Sequence, residues 1–325
     1  MNQAYPFSST LSRREWLRRA GLLCGSAVVV STWPDWAFAH QPAAPADQLA
    51  AMRAQMGAAP ITSASLGPNL TMLAGPGGNV AVLNGADGKI VVDTFVQPAW
   101  TNLKAALDKL GNQRISNVID THWHFDHADN NAAFRKLGAA IVAHDNTKKR
   151  LSESHDLLGA KFPPSPAEAL PTLTFSVTRR IDANGDSVML GKVPNAHTDT
   201  DIYVKFQKAN ALHMGDVFFN GMYPFIDAST GGSIGGMIDG TNFCMKQADA
   251  STKIVPGHGP LGDLTSLTAY RDMLVTVRDR IAKLKKSGQS LKEVLSAQPT
   301  KDLDATWGKG FMQPNDFLAI VYNTL

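Results

Sequence analysis

Six consecutive residues, His122-Trp123-His124-Phe125-Asp126-His127, place three imidazoles and a carboxylate in H-x-H-x-D-H order. Imidazole nitrogen together with carboxylate oxygen is the donor set expected for zinc, ahead of iron or manganese. Grouped this closely without a metal, the side chains would disturb a core and repel one another once protonated. A surface histidine cluster is the simpler alternative, but apolar segments flank this one on both sides. His122 and His124 are alternate residues and project to one side if strand geometry persists. The bend that follows lets Asp126 and His127 face a neighbouring ion.

Further along, three single residues each sit where a strand ends. His197 lies in Pro194-Asn195-Ala196-His197-Thr198, Asp216 in His213-Met214-Gly215-Asp216, and His258 in the rigid turn Pro256-Gly257-His258-Gly259-Pro260. Each alone is weak evidence, and a lone histidine in a Gly-Pro turn is usually just exposed. Asp93, in Val91-Val92-Asp93-Thr94, also closes an apolar run. The remaining histidines, His40, His144 and His155, keep no company that suggests metal. His213 is expected to be packed or to support a ligand.

The elements that must position these residues follow from periodicity. Leu70 to Ala74, Asn79 to Leu83 and Lys89 to Asp93 are short β-type runs, split by Gly-Pro-Gly-Gly and Gly-Ala-Asp-Gly turns. Trp100 to Leu110 has helical spacing and ends at Gly111. Ile115 to Asp120 is an apolar, β-branched strand running straight into the cluster. Strands are expected again at Ser176–Ile181, Ser187–Leu190, Ile202–Phe206, Ala211–Met214 and Ile254–Val255. Helices are expected over 234–250, 263–287, 291–297 and 314–324. Two strand-rich halves, each with helices, predict an α/β fold, a four-layer αββα sandwich.

With these residues in this order, residues 68–325 resemble the metallo-β-lactamase superfamily. The resemblance implies a first metal on His122, His124 and His197, a second on Asp126, His127 and His258, and Asp216 bridging both. It implies two zinc ions and a role for Asp93 in holding a ligand imidazole. The activity it implies is hydrolysis of a carbonyl compound (lactam, lactone, ester or thioester) by hydroxide shared between the metals, with Asp126 as the catalytic carboxylate that orients it. One departure is visible: the family often has glycine after the cluster, where this chain has Ala128-Asp129-Asn130.

The loop from Phe218 to Met237 follows the bridging aspartate, and Tyr223, Phe225 and Ile226 are its candidates for the substrate pocket. Lactamases with two zincs often carry cysteine at the position of Asp216 and a nearby lysine for the substrate carboxylate. This chain has Asp216, and no Lys or Arg in 217–230. A lactamase proper is therefore the weaker alternative. Glyoxalase-type thioesterases share the bridging aspartate but lack an export signal. The run Lys205 to Leu325 is most similar to secreted hydrolases of the superfamily. An iron enzyme of oxygen or sulfur chemistry on the same ligands, and a metal-binding protein without turnover, are the readings from other classes.

Composition adds boundaries. The chain has 325 residues, 44% hydrophobic and 18% charged, with a net charge of +3. That is ordinary globular composition, with no footprint for nucleic acid. Ser12-Arg13-Arg14-Glu15-Trp16-Leu17, the apolar run Gly21 to Val30 and Ala37-Phe38-Ala39 resemble a twin-arginine signal peptide over 1–39. Cleavage after Ala39 would remove four arginines and two acids, taking the net charge to +1. It would leave Cys244 as a lone buried thiol and no stable membrane anchor. The expected location is periplasmic or secreted, and the expected partner a small-molecule substrate. Residues 40–66, rich in Ala and Pro, read as a loose arm or linker ahead of a catalytic domain over 67–325.

Overall fold

The computed structural model describes residues 45–325. The export-signal reading of 1–39, with Cys24, and the position of His40 lie outside them.

Fourteen strands are described. Seven form one sheet in the order β1 (Thr62–Ser65), β2 (Leu70–Gly75), β3 (Gly78–Leu83), β4 (Lys89–Val92), β5 (Ile115–Ile119), β6 (Ala140–His144), β9 (Leu173–Phe175). β1 to β4 pair antiparallel through tight turns, whereas β4, β5, β6 and β9 run parallel. Parallel pairing needs crossovers. The helices α2 (Trp100–Lys109), α3 (Phe125–Ala128), α4 (Asn131–Lys136) and α5 (Asp145–Leu151) lie in them. The second sheet has the order β10 (Thr178–Ala183), β11 (Asp186–Lys192), β12 (Ile202–Phe206), β13 (Ala211–His213), β14 (Lys253–Val255), the last pair parallel. β7 (His155–Leu157) and β8 (Ala160–Phe162) make a separate hairpin. After β13 come α6 (Ile234–Met245), α7 (Leu264–Lys286), α8 (Leu291–Ala297), α9 (Asp304–Trp307) and α10 (Pro314–Thr324).

Period-two alternation divides the apolar side chains between two cores. Ala81, Leu83, Ile90 and Val92 meet Val188, Leu190, Val204 and Val255 between the sheets. Val80, Val82, Val91 and Val118 turn the other way, into the core covered by helices, as do Leu212 and Ile254 of the second sheet. Two sheets face to face with helices outside are the four layers of the αββα sandwich.

One expectation is corrected here. Residues 45–65 are not a loose arm. Pro45–Gly57 is a helix, α1, whose Leu49, Met52 and Met56 are buried in the helix-covered core, and Thr62–Ser65 is the edge strand β1. Weak periodicity hid the helix, because only one narrow stripe of it is apolar. Phe175 ends β9 and Thr178 begins β10, so the run expected from Ser176 starts two residues late. No helix among the described residues is long and apolar enough to cross a membrane.

Candidate metal centre

All the candidate ligands lie just beyond the C-terminal ends of strands, and both sheets contribute. β4 delivers Asp93, β5 delivers residues 122–127, and β11 leads to His197. β13 ends before Asp216, which sits in the 3-10 turn Gly215–Val217, and β14 ends before His258. The structure brings all seven candidate ligands together. His122, His124, His197 and Asp216 form one group and Asp126, His127 and His258 another, the ligand atoms of each within 4.8 Å of one another. All seven are buried.

Asp216 joins the two groups. Its Oδ2 is 3.4 Å from His197 Nε2 and 3.8 Å from His122 Nε2, while Oδ1 is 3.2 Å from His127 Nε2 and 3.3 Å from His258 Nε2. Asp126 Oδ2 lies 3.5 Å from His127 Nε2 and 3.4 Å from His258 Nε2. His124 faces the first group through Nδ1, 2.8 Å from His197 Nε2.

Protein groups behind the ligands fix which nitrogen points inward. Asp93 Oδ2 holds His127 Nδ1 at 2.8 Å, and Asp93 also accepts from Thr121 N and Thr121 Oγ1. Because that hydroxyl donates to Asp93, it accepts from His122 Nδ1, 3.1 Å away. His197 Nδ1 donates to Phe225 O at 2.9 Å. Asp201 fixes the same loop by accepting from His197 N and Thr198 N. Asp227 Oδ2 lies 3.1 Å from His124 Nε2 and is itself held by Ser229 and Thr230. Asp201 and Asp227 were not legible in the sequence. They sit in irregular loops, and only the fold brings them behind a ligand. His213 is packed: Nε2 donates to Asn79 O and Nδ1 accepts from Gly215 N.

Electrostatics split the histidines. Burial, then the neighbouring His127, pushes His122 well below the usual imidazole range, so its Nε2 lone pair is free. Burial likewise lowers His197. Burial also acts on His127, but Asp216, Asp126 and Asp93 overcome it and raise that group well above its usual range. Burial opposes the charge of Asp216, yet His258, His127 and His122 hold its carboxyl well below the carboxylate range.

Close backbone approach explains two glycine sites. Gly78 has φ +134°, and a Cβ there would lie 2.8 Å from Gly257 O and 3.2 Å from His127 Cε1. A Cβ on Gly257 would strike the Asp216 carboxylate. The missing glycine after the cluster carries no penalty. Ala128 is the last residue of α3, and Asp129 caps it at φ −61°, a right-handed conformation open to any residue.

A cleft open to solvent leads to His124, Asp126, Asp216 and His258. Phe225 lines it. Tyr223 and Ile226 do not, which corrects the expectation for both. Tyr223 stacks on Phe317 at 4.7 Å and donates to Asp304, and Ile226 is buried in the core. They pack the loop down instead. Met52, Met56 and Phe311 complete the walls and were missed, since nothing in their local sequence marks them.

A sandwich of this form, with histidines and aspartates gathered at the C-terminal strand ends of both sheets, defines a class of metal-site proteins. The chain belongs to the metallo-β-lactamase superfamily, whose profile matches residues 74–280. Among solved structures it is similar to a metallo-β-lactamase from Pontibacter korlensis (16% identity, TM-score 0.55, covering 66% of this chain and 98% of that one). It is also similar to one from Hirschia baltica (20% identity, TM-score 0.54, covering 66% and 98%). The DIM-1 metallo-β-lactamase aligns at 15% identity and TM-score 0.55, covering 67% and 98%. No curated protein matches the sequence significantly. Met52, Met56 and Phe311 lie outside the matched span.

Proposed function

We propose that the chain is a dinuclear, zinc-dependent hydrolase that attacks the carbonyl carbon of a small-molecule ester, thioester, lactone or lactam. The observation that carries this reading is Asp216, one carboxylate with an oxygen turned to each of two ligand groups. The residues fit a pair of cations. His122 Nε2 and Asp216 Oδ1 are buried atoms to which no hydrogen bond is made, a costly arrangement that a cation relieves. All-nitrogen and oxygen ligation favours zinc. His122, His124 and His197 would hold one ion and Asp126, His127 and His258 the other. When bound, such ions acidify water and polarise a carbonyl oxygen.

The chain's own groups do the rest. Asp93, Thr121, Asp227 and the Phe225 carbonyl fix the ring orientation of four histidines before any substrate arrives. Asp126 opens onto the cleft, and its carboxylate is the group this reading assigns to orient the attacking water or relay its proton. Burial opposes its charge, but His127 and His258 hold it below the usual carboxylate range, so it is ionised at neutral pH. Phe219 and Phe225 shield the site from bulk solvent. Among the described residues no Ser or Cys lines the cleft, and the reading needs no protein nucleophile. Cys244 is buried in α6, and burial raises its thiol far above the usual range. Export to the periplasm or beyond is part of this reading and rests on the residues of 1–39 alone.

Metal analysis of the purified chain, combined with a panel of chromogenic esters, thioesters, lactones and lactams, tests it. We expect two divalent ions per chain and turnover of at least one class. His122→Ala and Asp216→Ala lose about 10²–10³-fold or more in rate and bind less metal. Full activity after complete metal removal would end the reading.

A further inference from the structure

The sequence departure at Asp129 and the unexpected helix α1 meet in one contact. Arg53 Nε and Nη2 each lie 2.6 Å from an oxygen of Asp129, which also accepts from Gln97 N. This is a bidentate pair, a geometry that fixes orientation as well as distance. The guanidinium stands 5.5 Å from the ring of Phe125, which lines the cleft, and 5.8 Å from the ring of Phe162 on β8, so the first cation–π contact ties α1 to the cleft wall and the second to the hairpin behind it. One step before and one turn after Arg53, Met52 and Met56 turn inward and are each 1% exposed. They face the cleft together with Phe125, Leu157, Phe225 and Phe311. The floor is the ligand cluster itself. Among the described residues no Lys or Arg lines the cleft, so a substrate carboxylate would find no cation from their side chains there. Unbranched, polarisable methionine adapts to varied apolar shapes.

We propose that α1, locked in place by Arg53 and Asp129, is the specificity element of this site: it selects uncharged carbonyl substrates whose apolar acyl arm lies against Met52 and Met56. This inference rests on the hydrolase reading above. α1 and Phe311 lie outside residues 74–280, the span that the superfamily profile matches.

The test uses full-length, metal-quantified protein and p-nitrophenyl acetate, butyrate, hexanoate and octanoate. In each case water adds hydroxyl to the carbonyl carbon, the C–O bond breaks, and p-nitrophenol leaves with the proton. We expect kcat/KM to rise about twofold to fourfold per added methylene until the cleft is filled. A p-nitrophenyl hemisuccinate, of similar size but anionic, falls below the butyrate. Met52→Ser with Met56→Ser lowers the octanoate-to-acetate ratio at least tenfold, and Arg53→Gln lowers it at least threefold. Met52→Leu with Met56→Leu retains the ratio, which a loss of folding alone would not reproduce. Ester turnover with no length dependence, or with the anionic ester preferred, overturns the inference and leaves the hydrolase reading standing. If no ester is turned over, calorimetry with 2-hexanone, 2-octanone and 2-decanone decides separately. Affinity that grows with length and is lost in the double serine variant supports the apolar arm site; no length-dependent binding overturns it.

Discussion

The cost of a buried imidazole or carboxylate falls on whatever must orient it, and in this chain four partners do that work behind four ligands. Asp93 is the most connected: two Thr121 groups and His127 converge on it, and it adopts φ 64°, a conformation that aspartate tolerates better than most residues. Asp227 is the partner that the sequence does not announce. It sits in a turn, with its carboxylate held by Ser229 and Thr230 and aimed at His124 Nε2. Burial opposes its charge, but His124 and these hydroxyls keep it well below the carboxylate range. Asp227→Ala frees the His124 ring to turn and should weaken metal binding about 10–100-fold, read by competition with a chromophoric chelator. Unchanged affinity would show that His124 is held by packing alone. The H-x-H-x-D-H cluster was legible because its ligands are local in sequence. Asp201 and Asp227 were not, because an aspartate behind a ligand has the same local signature as an aspartate in any turn.

Elements with strong periodicity were read nearly to the residue. α8 and α10 occupy 291–297 and 314–324, as the pattern predicts, and β12 is Ile202–Phe206. Their boundaries carry chemical marks. Ser290 and Glu293 form a capping box before α8, and Asp263 and Ser266 form one before α7. Asp263 accepts from Ser266 N at 2.8 Å. Asp263→Ala should cost roughly 1 kcal/mol, seen as a fall in Tm of about 2–4 °C; no shift would mean that α7 is held by tertiary contacts alone. α1 was missed for the opposite reason. Its buried apolar stripe is Leu49, Met52 and Met56, while the rest is mostly Ala, Gln and charged residues, so its helix is fixed by docking and not by its own pattern. Tyr223 and Ile226 were misassigned because an aromatic loop residue facing a pocket and one facing the core look alike until the loop has a place.

At the scale of the whole molecule, the ligands come from both sheets, so any ion held by them cross-links the two halves of the sandwich. Removing metal with a strong chelator should therefore lower Tm, by the equivalent of about 2.7 kcal/mol where free metal stood at a hundred times its Kd. Identical melting with and without chelator would show that the halves are held together without it. The sequence by itself determined the layer architecture and the seven ligand candidates. Alternation and helical spacing are local properties, and metal donors are few and chemically distinct. Only the tertiary structure decided which oxygen of Asp216 faces which histidines, which carboxylates stand behind them, and that a helix from outside the shared span walls the cleft. Those are contacts between residues distant in the chain, as Asn79 and Pro256, 177 positions apart, also are, and their geometry is set by how the two sheets pack, which no local pattern encodes.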